Sequence, residues 1–339
     1  MSLTSQQLET ILASVPKRTI GVLGDLFLDR YFDLDGQRTE PSLETGLDAY
    51  QVTQVRSIPG AAGTVINNLV ALGVGRVVAL SLIGEDGEGF ELLRALSHQG
   101  VCIDGIVRHP SRLTPTYMKP MLRMPGQLPR ELHRLDIHPC EPLDTATQDQ
   151  LLENLRFWLP RLDALAIVDQ VKTLDAGVVT SRLREHLALF PATIPILADS
   201  RFRISHFRSV MLKPNEAEAR SAVPQAPDAL AAADVLAMQA SRPVYLTLGS
   251  QGIYCVEPGQ RGQMIPAYRV DGPTDPVGAG DSTTAGILTA LVAGLSPREA
   301  AAFGCLVASI TVSKIGTTGV ASPAELRVQL QKANSSENS

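Results

Sequence analysis

Asp275-Pro276-Val277-Gly278-Ala279-Gly280-Asp281-Ser282 runs directly into the apolar segment Thr283–Leu295. Gly-Ala-Gly allows tight backbone curvature and lets a ligand approach the main chain closely. The helix expected immediately afterwards aims several N–H groups and the positive end of its dipole at one spot. That spot suits a phosphate or a developing phosphoryl charge. Asp281 stands at the start of the helix, beside the anion site, where a carboxylate can accept a proton from an attacking hydroxyl. Phosphoryl transfer asks for little beyond positioning, charge neutralisation and a base. On this stretch alone, a helix cap is the better reading of Asp281.

Outward from this turn, short apolar runs with polar ends alternate with helical patterns. Thr19–Gly24, Arg76–Ile83, Leu165–Asp169, Ile194–Asp199, Val210–Lys213 and Val244–Leu248 read as buried parallel strands. Gly60–Leu72, stopped by Gly73, and Glu88–His98, stopped by Gly100, read as helices. The last third is mainly helical, with capping boxes at Ser296-Pro297-Arg298-Glu299 and Ser322-Pro323-Ala324-Glu325. This predicts a single three-layer α/β/α domain over residues 1–339, with a mostly parallel sheet. Residues 30–57 and 105–136 break the pattern. They alternate apolar and polar side chains (Tyr50, Val52, Val55; Tyr117, Met118, Leu122), which predicts antiparallel strands forming a small flap over the site. The competing reading is a pair of solvated loops.

A chain of 339 residues buries enough surface for one large domain and a small accessory piece. A net charge of -5 supplies no basic face for nucleic acid, while leaving room for a local basic pocket. Cys102, Cys140, Cys255 and Cys305 are far apart and form no C-x-x-C pair, which argues against a disulfide framework or zinc site and for a reducing compartment. The N-terminal residues show no signal-peptide pattern. Ala301–Val312, the longest apolar stretch, is too short to span a bilayer. The expectation is a cytoplasmic protein with no membrane partner.

D-P-V-G-A-G-D-S closely resembles the C-terminal signature of the PfkB (ribokinase-like) carbohydrate kinases, D-T-x-G-A-G-D. Pro59-Gly60-Ala61-Ala62-Gly63-Thr64, with Asn68 and Gly73, resembles the family's N-terminal signature. The likeness covers almost the whole chain and is strongest to the kinase part of ADP-heptose synthases and to heptose-7-phosphate kinases. Gly24-Asp25-Leu26-Phe27-Leu28-Asp29-Arg30-Tyr31 is similar to their opening segment, and Arg134-Leu135-Asp136 to their second flap strand. Asp169 and Lys172 fit their D-Y-x-K-G, with departures at Gln170 and Thr173. Lys314-Ile315-Gly316-Thr317 resembles their K-x-G-T loop. Their nucleotidyltransferase domain is not expected within these 339 residues.

The resemblance implies ATP-dependent phosphorylation of a sugar or sugar-phosphate hydroxyl. It makes Asp281 the base and the N–H groups of Gly278, Ala279 and Gly280 the anion hole. Asn215 and Glu218 match N-x-x-E, which organises Mg²⁺, through water, and the nucleotide phosphates; enrichment of acids at a helix start is the alternative. Thr247, Gly249 and Gly252 match the nucleotide-binding T-x-G-x-x-G turn, otherwise a generic glycine turn. Asp29, with Gly60 and Thr64, falls where relatives hold the sugar. Ala61 and Thr64 depart from the usual glycine and asparagine and reshape the sugar pocket. Pro276 and Val277 depart beside the loop where relatives bind K⁺ and leave that requirement open. His133 and His138 read as surface residues. The apolar flap strands predict a homodimer through the flap. Two other functions remain open: a kinase for a nucleoside or other small alcohol, and a catalytically weak sensor of nucleotide or sugar.

Overall fold

A computed structural model describes residues 3–190, 193–316 and 318–337. Nine of the described strands make one large sheet. In chain order these are β1 (Thr19–Gly24), β4 (Arg76–Gly84), β5 (Cys102–His109), β9 (Ala164–Asp169), β10 (Ile196–Ser200), β11 (Met211–Leu212), β12 (Val244–Thr247), β13 (Ile253–Val256) and β14 (Gln263–Ile265). Across the sheet they stand in the order β14-β13-β12-β11-β10-β9-β1-β4-β5. Every pairing from β5 through β12 is parallel; β12–β13 and β13–β14 are antiparallel. Among the described residues ten α-helices complete the layers: α1 (Ser5–Ser14), α2 (Ala62–Ala71), α3 (Gly87–His98), α4 (Thr145–Trp158), α5 (Ser181–Leu189), α6 (Glu216–Ala222), α7 (Ala229–Ala240), α8 (Ala279–Val292), α9 (Pro297–Thr311) and α10 (Pro323–Glu337).

The strands read as continuous apolar runs because both sheet faces are covered. Successive strand residues point to opposite faces. Accordingly Ala164, Ala166 and Val168 join the core beneath α1, α2, α8 and α9, while Leu165 and Ile167 join the core beneath α4, α5 and α7. Parallel connection sends the strands' C-terminal ends to one edge of the sheet, and open α/β sheets bind ligands there. At that edge lie Asp25 after β1, Asp169 in β9, Asp199 in β10, Lys213 after β11 and Thr247 in β12.

A second sheet is formed by β2 (Leu26–Pro41), β3 (Asp48–Ala61), β6 (Thr116–Arg123), β7 (Arg130–Glu131) and β8 (Leu135–Ile137). It differs from the expected flap in two ways. Residues 105–109 belong to β5, the parallel edge strand of the large sheet, so the second inserted segment begins at β6. The β2–β3 hairpin is antiparallel, as its direct connection requires, but β2 pairs with β6 in parallel. The chain reaches β6 only after crossing the main domain through α2, β4, α3 and β5, and such a crossover is what parallel pairing needs. No helix among the described residues is long and apolar enough to cross a membrane.

Candidate active site

The turn before α8 has the backbone that its glycines permit. Gly278 caps the helix with φ of 80°, a left-handed conformation that an L-side chain rarely adopts. Asp275 fixes the turn by accepting the Val277 N–H at 3.1 Å and the Gly316 N–H at 3.0 Å. Gly316 belongs to the Lys314–Gly316 part of the expected K-x-G-T loop; Thr317 lies outside the described residues. The Ala279 N–H donates to the Pro276 carbonyl at 3.1 Å and is therefore not an open anion-hole donor. Sequence cannot show this, because a turn that curves tightly enough to present its amides can consume one of them. The N–H groups of Gly278, Gly280 and Asp281 have no hydrogen-bond partner among the described residues.

Asp281 sits in the first turn of α8 and is half-buried. Burial, reinforced by the Asp199 charge, pushes its pKa up to about 7, against the pull of Lys213 and Arg201. A carboxylate with such a pKa is a far stronger proton acceptor than an ordinary aspartate near neutral pH. Lys213 is buried beneath the turn, its Nζ 2.7 Å from Asp199 Oδ2. Burial alone would lower the Lys213 pKa, but the charge and hydrogen bond of Asp199 raise it and keep the ammonium charged.

Asn215 and Glu218 close a capping box at the start of α6. The Glu218 N–H donates to Asn215 Oδ1 and the Asn215 N–H to Glu218 Oε2, both at 2.8 Å. The capping alternative is therefore physically real, but it occupies only one carboxylate oxygen. Burial, with Asp199 second, raises the Glu218 pKa. Asn215 forms a parallel bridge with Thr247, which brings N-x-x-E against the glycine turn. Gly249 and Gly252 have φ of 58° and 104°, and a Cβ on Gly252 would meet the Ile265 carbonyl at 2.1 Å. Glycine is required there by geometry. Glu218 with water supplies hard oxygen donors suited to Mg²⁺, which keeps several waters and needs no protein cage. No group of three metal-ligating side chains stands together among the described residues.

On the other side, Gly60 packs against Asp29: a Cβ would lie 2.7 Å from Asp29 Oδ2. Lys119 Nζ approaches Asp29 Oδ1 at 3.0 Å and donates to the Tyr31 hydroxyl at 3.3 Å. Ala61 carries φ of 51°, where the glycine of the resembled signature would be unstrained. Thr64, in the first turn of α2, reaches the turn before α8: a Cβ on Gly278 would lie 3.3 Å from Thr64 Cγ2. Asp29, Gly60, Thr64 and the Gly278–Asp281 turn therefore adjoin one another. Phe27, Tyr117 and His138 stack at centroid distances of 5.0–5.7 Å, and Arg134 lies 4.4 Å over Tyr117 while chelating Asp136. His138 is thus a ring-packing residue as well as a partly exposed one.

Sequence pattern does not single out Lys119, Asp199, Arg201 or Lys213 for this site. The usable signal is a charged residue ending an apolar strand, as Asp199 and Lys213 do. Asp169 is buried. It accepts the Ser200 hydroxyl at 2.7 Å, and burial followed by the Asp25 charge pushes its pKa up to about 6. Lys172 contributes its carbonyl, which Arg203 holds.

Residues 206–324 match the family described as pfkB family carbohydrate kinase. The chain is 32% identical over 317 residues to the bifunctional protein HldE of Trichlorobacter lovleyi, covering 90% of this chain and 61% of that protein. It is 29% identical over 336 residues to the protein of the same name in Geobacter sulfurreducens, covering 95% and 64%. The chain thus spans somewhat under two thirds of these relatives' length. Among solved structures, phosphofructokinase-2 from Escherichia coli matches with TM-score 0.69 and 19% identity over 94% of this chain and 99% of that one. Ribokinase from Arabidopsis thaliana matches with TM-score 0.67 and 16% identity over 93% and 99%. These two likenesses show the fold.

Proposed function

We propose that this chain, which belongs to the pfkB family of carbohydrate kinases, transfers the γ-phosphoryl group of ATP to a hydroxyl of a sugar or sugar phosphate. The observation that carries this reading is Asp281, with its pKa near 7, standing beside the open N–H groups at the start of α8. Asp281 takes the hydroxyl proton as the acceptor oxygen bonds to phosphorus. The bond from phosphorus to the β,γ-bridging oxygen breaks, and its electron pair leaves on ADP. The amides of Gly278 and Gly280 receive the charge on the moving group, joined by that of Asp281.

The nucleotide lies along Asn215, Thr247, Gly249 and Gly252, and the acceptor between Asp29, Gly60, Thr64 and Asp281. Glu218, through water, would hold Mg²⁺, which supplies neutralisation of the phosphate charge. The second sheet covers the acceptor and limits hydrolysis. Lys119 and Arg134 place cations on that cover, each paired with a carboxylate, Asp29 and Asp136. Exposed Tyr50, Val52 and Val55 on β3 support a homodimer through this sheet; a monomer by light scattering at micromolar concentration removes that part. The chain acts in the cytoplasm, where ATP and a reducing environment fit its four free cysteines.

The deciding experiment is ATP turnover against a panel of sugars, sugar phosphates and nucleosides, with K⁺ and Na⁺ exchanged. Acceptor-dependent ADP release with sugars or their phosphates supports the proposal. Turnover with nucleosides alone moves the chain to the nucleoside-kinase reading. Nucleotide binding with no turnover of any acceptor favours a sensor.

A further inference from the structure

Lys213 is the most deeply buried cation of the site, with 3% of its side chain exposed. A buried ammonium is costly unless its donors are satisfied. One of its three N–H donors meets Asp199; the others have no partner among the described residues. Their direction follows from Gly280. Beyond its chain neighbours and its own helix's backbone, a Cβ built there would find only Lys213 Nζ within 4 Å, at 3.5 Å. Helical Cα–Cβ bonds tilt toward the helix N-terminus, the same end at which the unpaired amides point. The ammonium and the amides of Gly280 and Asp281 therefore serve one space.

We propose that Lys213 is a further catalytic residue, whose ammonium, anchored by Asp199, touches the phosphoryl group in transit and carries part of its charge. The inference rests on the kinase reading above. Lys213 neither gains nor loses a proton in the step; it answers charge that moves to the phosphoryl oxygens and the leaving ADP. It also offsets the carboxylates of Asp199, Asp281 and Glu218, with Arg201 the other cation facing Asp281. Gly280 then has a second duty besides curvature: a side chain there would come between Lys213 and the phosphoryl group.

The test compares binding of AMP-PNP and ADP by calorimetry in wild type, Lys213→Met, Asp199→Asn and the double variant, alongside kcat. Lys213→Met should lower kcat by about 10²-fold, the usual consequence of losing one charge-stabilising donor. It should weaken AMP-PNP by roughly tenfold while ADP changes far less, because only the γ-phosphate would meet the ammonium. Lys213→Met strands a buried Asp199 carboxylate and can fail to fold. The double variant removes both charges and keeps the test alive. Asp199→Asn should retain the preference for AMP-PNP, and the double variant should lose it. Equal weakening of both nucleotides, or a double variant matching Asp199→Asn in kcat and preference, overturns the proposal. If wild type phosphorylates no acceptor, the kinase reading fails, yet the contrast between AMP-PNP and ADP still decides the role of Lys213.

Discussion

At the edge of the large sheet, Lys213 and Asp199 meet at 2.7 Å with side-chain exposures of 3% and 10%. In the second sheet, Arg123 and Asp33 meet at 2.9 Å, but Arg123 is 50% exposed. The distances are alike and the consequences are not. Burial around the first pair raises the pKa of Asp281 to about 7. In the second sheet, burial also pushes Asp33 upward, but Arg56 and Arg123 outweigh it and hold the carboxyl below its ordinary value. Around Asp281 burial and a like charge outweigh the neighbouring cations; around Asp33 two cations outweigh burial and keep a buried carboxylate ionised.

The hardest test of this contrast is Asp281→Asn. The change is nearly isosteric and removes only the proton acceptor, so kcat should fall by about 10²–10⁴-fold with little change in ATP affinity. Folding should survive. The folded pKa of Asp281 lies above the unfolded value of 3.8, so folding favours its protonated form. Its stabilising contribution is present below the unfolded pKa and is lost as pH rises through about 7. Above that pH the variant should melt no lower than wild type. A folded variant that works at near wild-type rate would show that Asp281 is not the base.

The pH profile follows next. With Asp281 as base, kcat/KM should climb about tenfold per pH unit below its pKa and level off above pH 7. Asp199→Asn should move this limb to lower pH and Lys213→Met to higher pH, since Asp199 raises and Lys213 lowers the Asp281 pKa. Shifts of the same sign would break the electrostatic account. Asp33, whose folded pKa is lowered, behaves oppositely in stability: its contribution is present above the unfolded value and is lost as pH falls through the lowered one.

The large sheet was legible because buried parallel strands announce themselves as apolar runs, and the run Leu165–Asp169 differs from the strand Ala164–Asp169 by one residue. The turn before α8 was legible because glycines and a following helix leave few alternatives. The second sheet was harder. Its alternation showed strands, but alternation does not encode partner or direction, and the parallel β2–β6 pairing depends on a crossover through the main domain. Lys213 and Asp199 stood at strand ends in plain view, yet their pairing across β10 and β11 needs the register Ala198–Leu212. The loss of the Ala279 amide to Pro276 is a matter of turn geometry that composition does not record.

A smaller effect is expected at Glu218→Gln. Glutamine keeps the capping box with Asn215, so stability should hold. The half-saturating Mg²⁺ concentration should rise roughly tenfold, as with other outer-sphere partners of a metal, with a lesser change in acceptor KM. An unchanged Mg²⁺ titration would leave Glu218 as a capping residue and shrink the functional edge of the large sheet.

The smallest effect is expected at Arg123→Gln. Its guanidinium is half in water, and Asp33 retains Arg56, which holds both carboxylate oxygens at 3.1 and 3.3 Å. Removing one exposed partner of such a carboxylate should cost no more than about 1 kcal/mol, and less at high salt. Denaturant unfolding at low and high salt measures it. Asp33 itself has only 2% of its side chain exposed. Removing Arg56 as well would leave a buried carboxylate with neither of its cations, and the loss should exceed the sum of the single changes. That excess should vanish once the pH falls low enough to protonate Asp33. If Arg123→Gln alone cost as much as Lys213→Met, exposure would not be what separates the two regions, and the cover would be held as rigidly as the edge it covers.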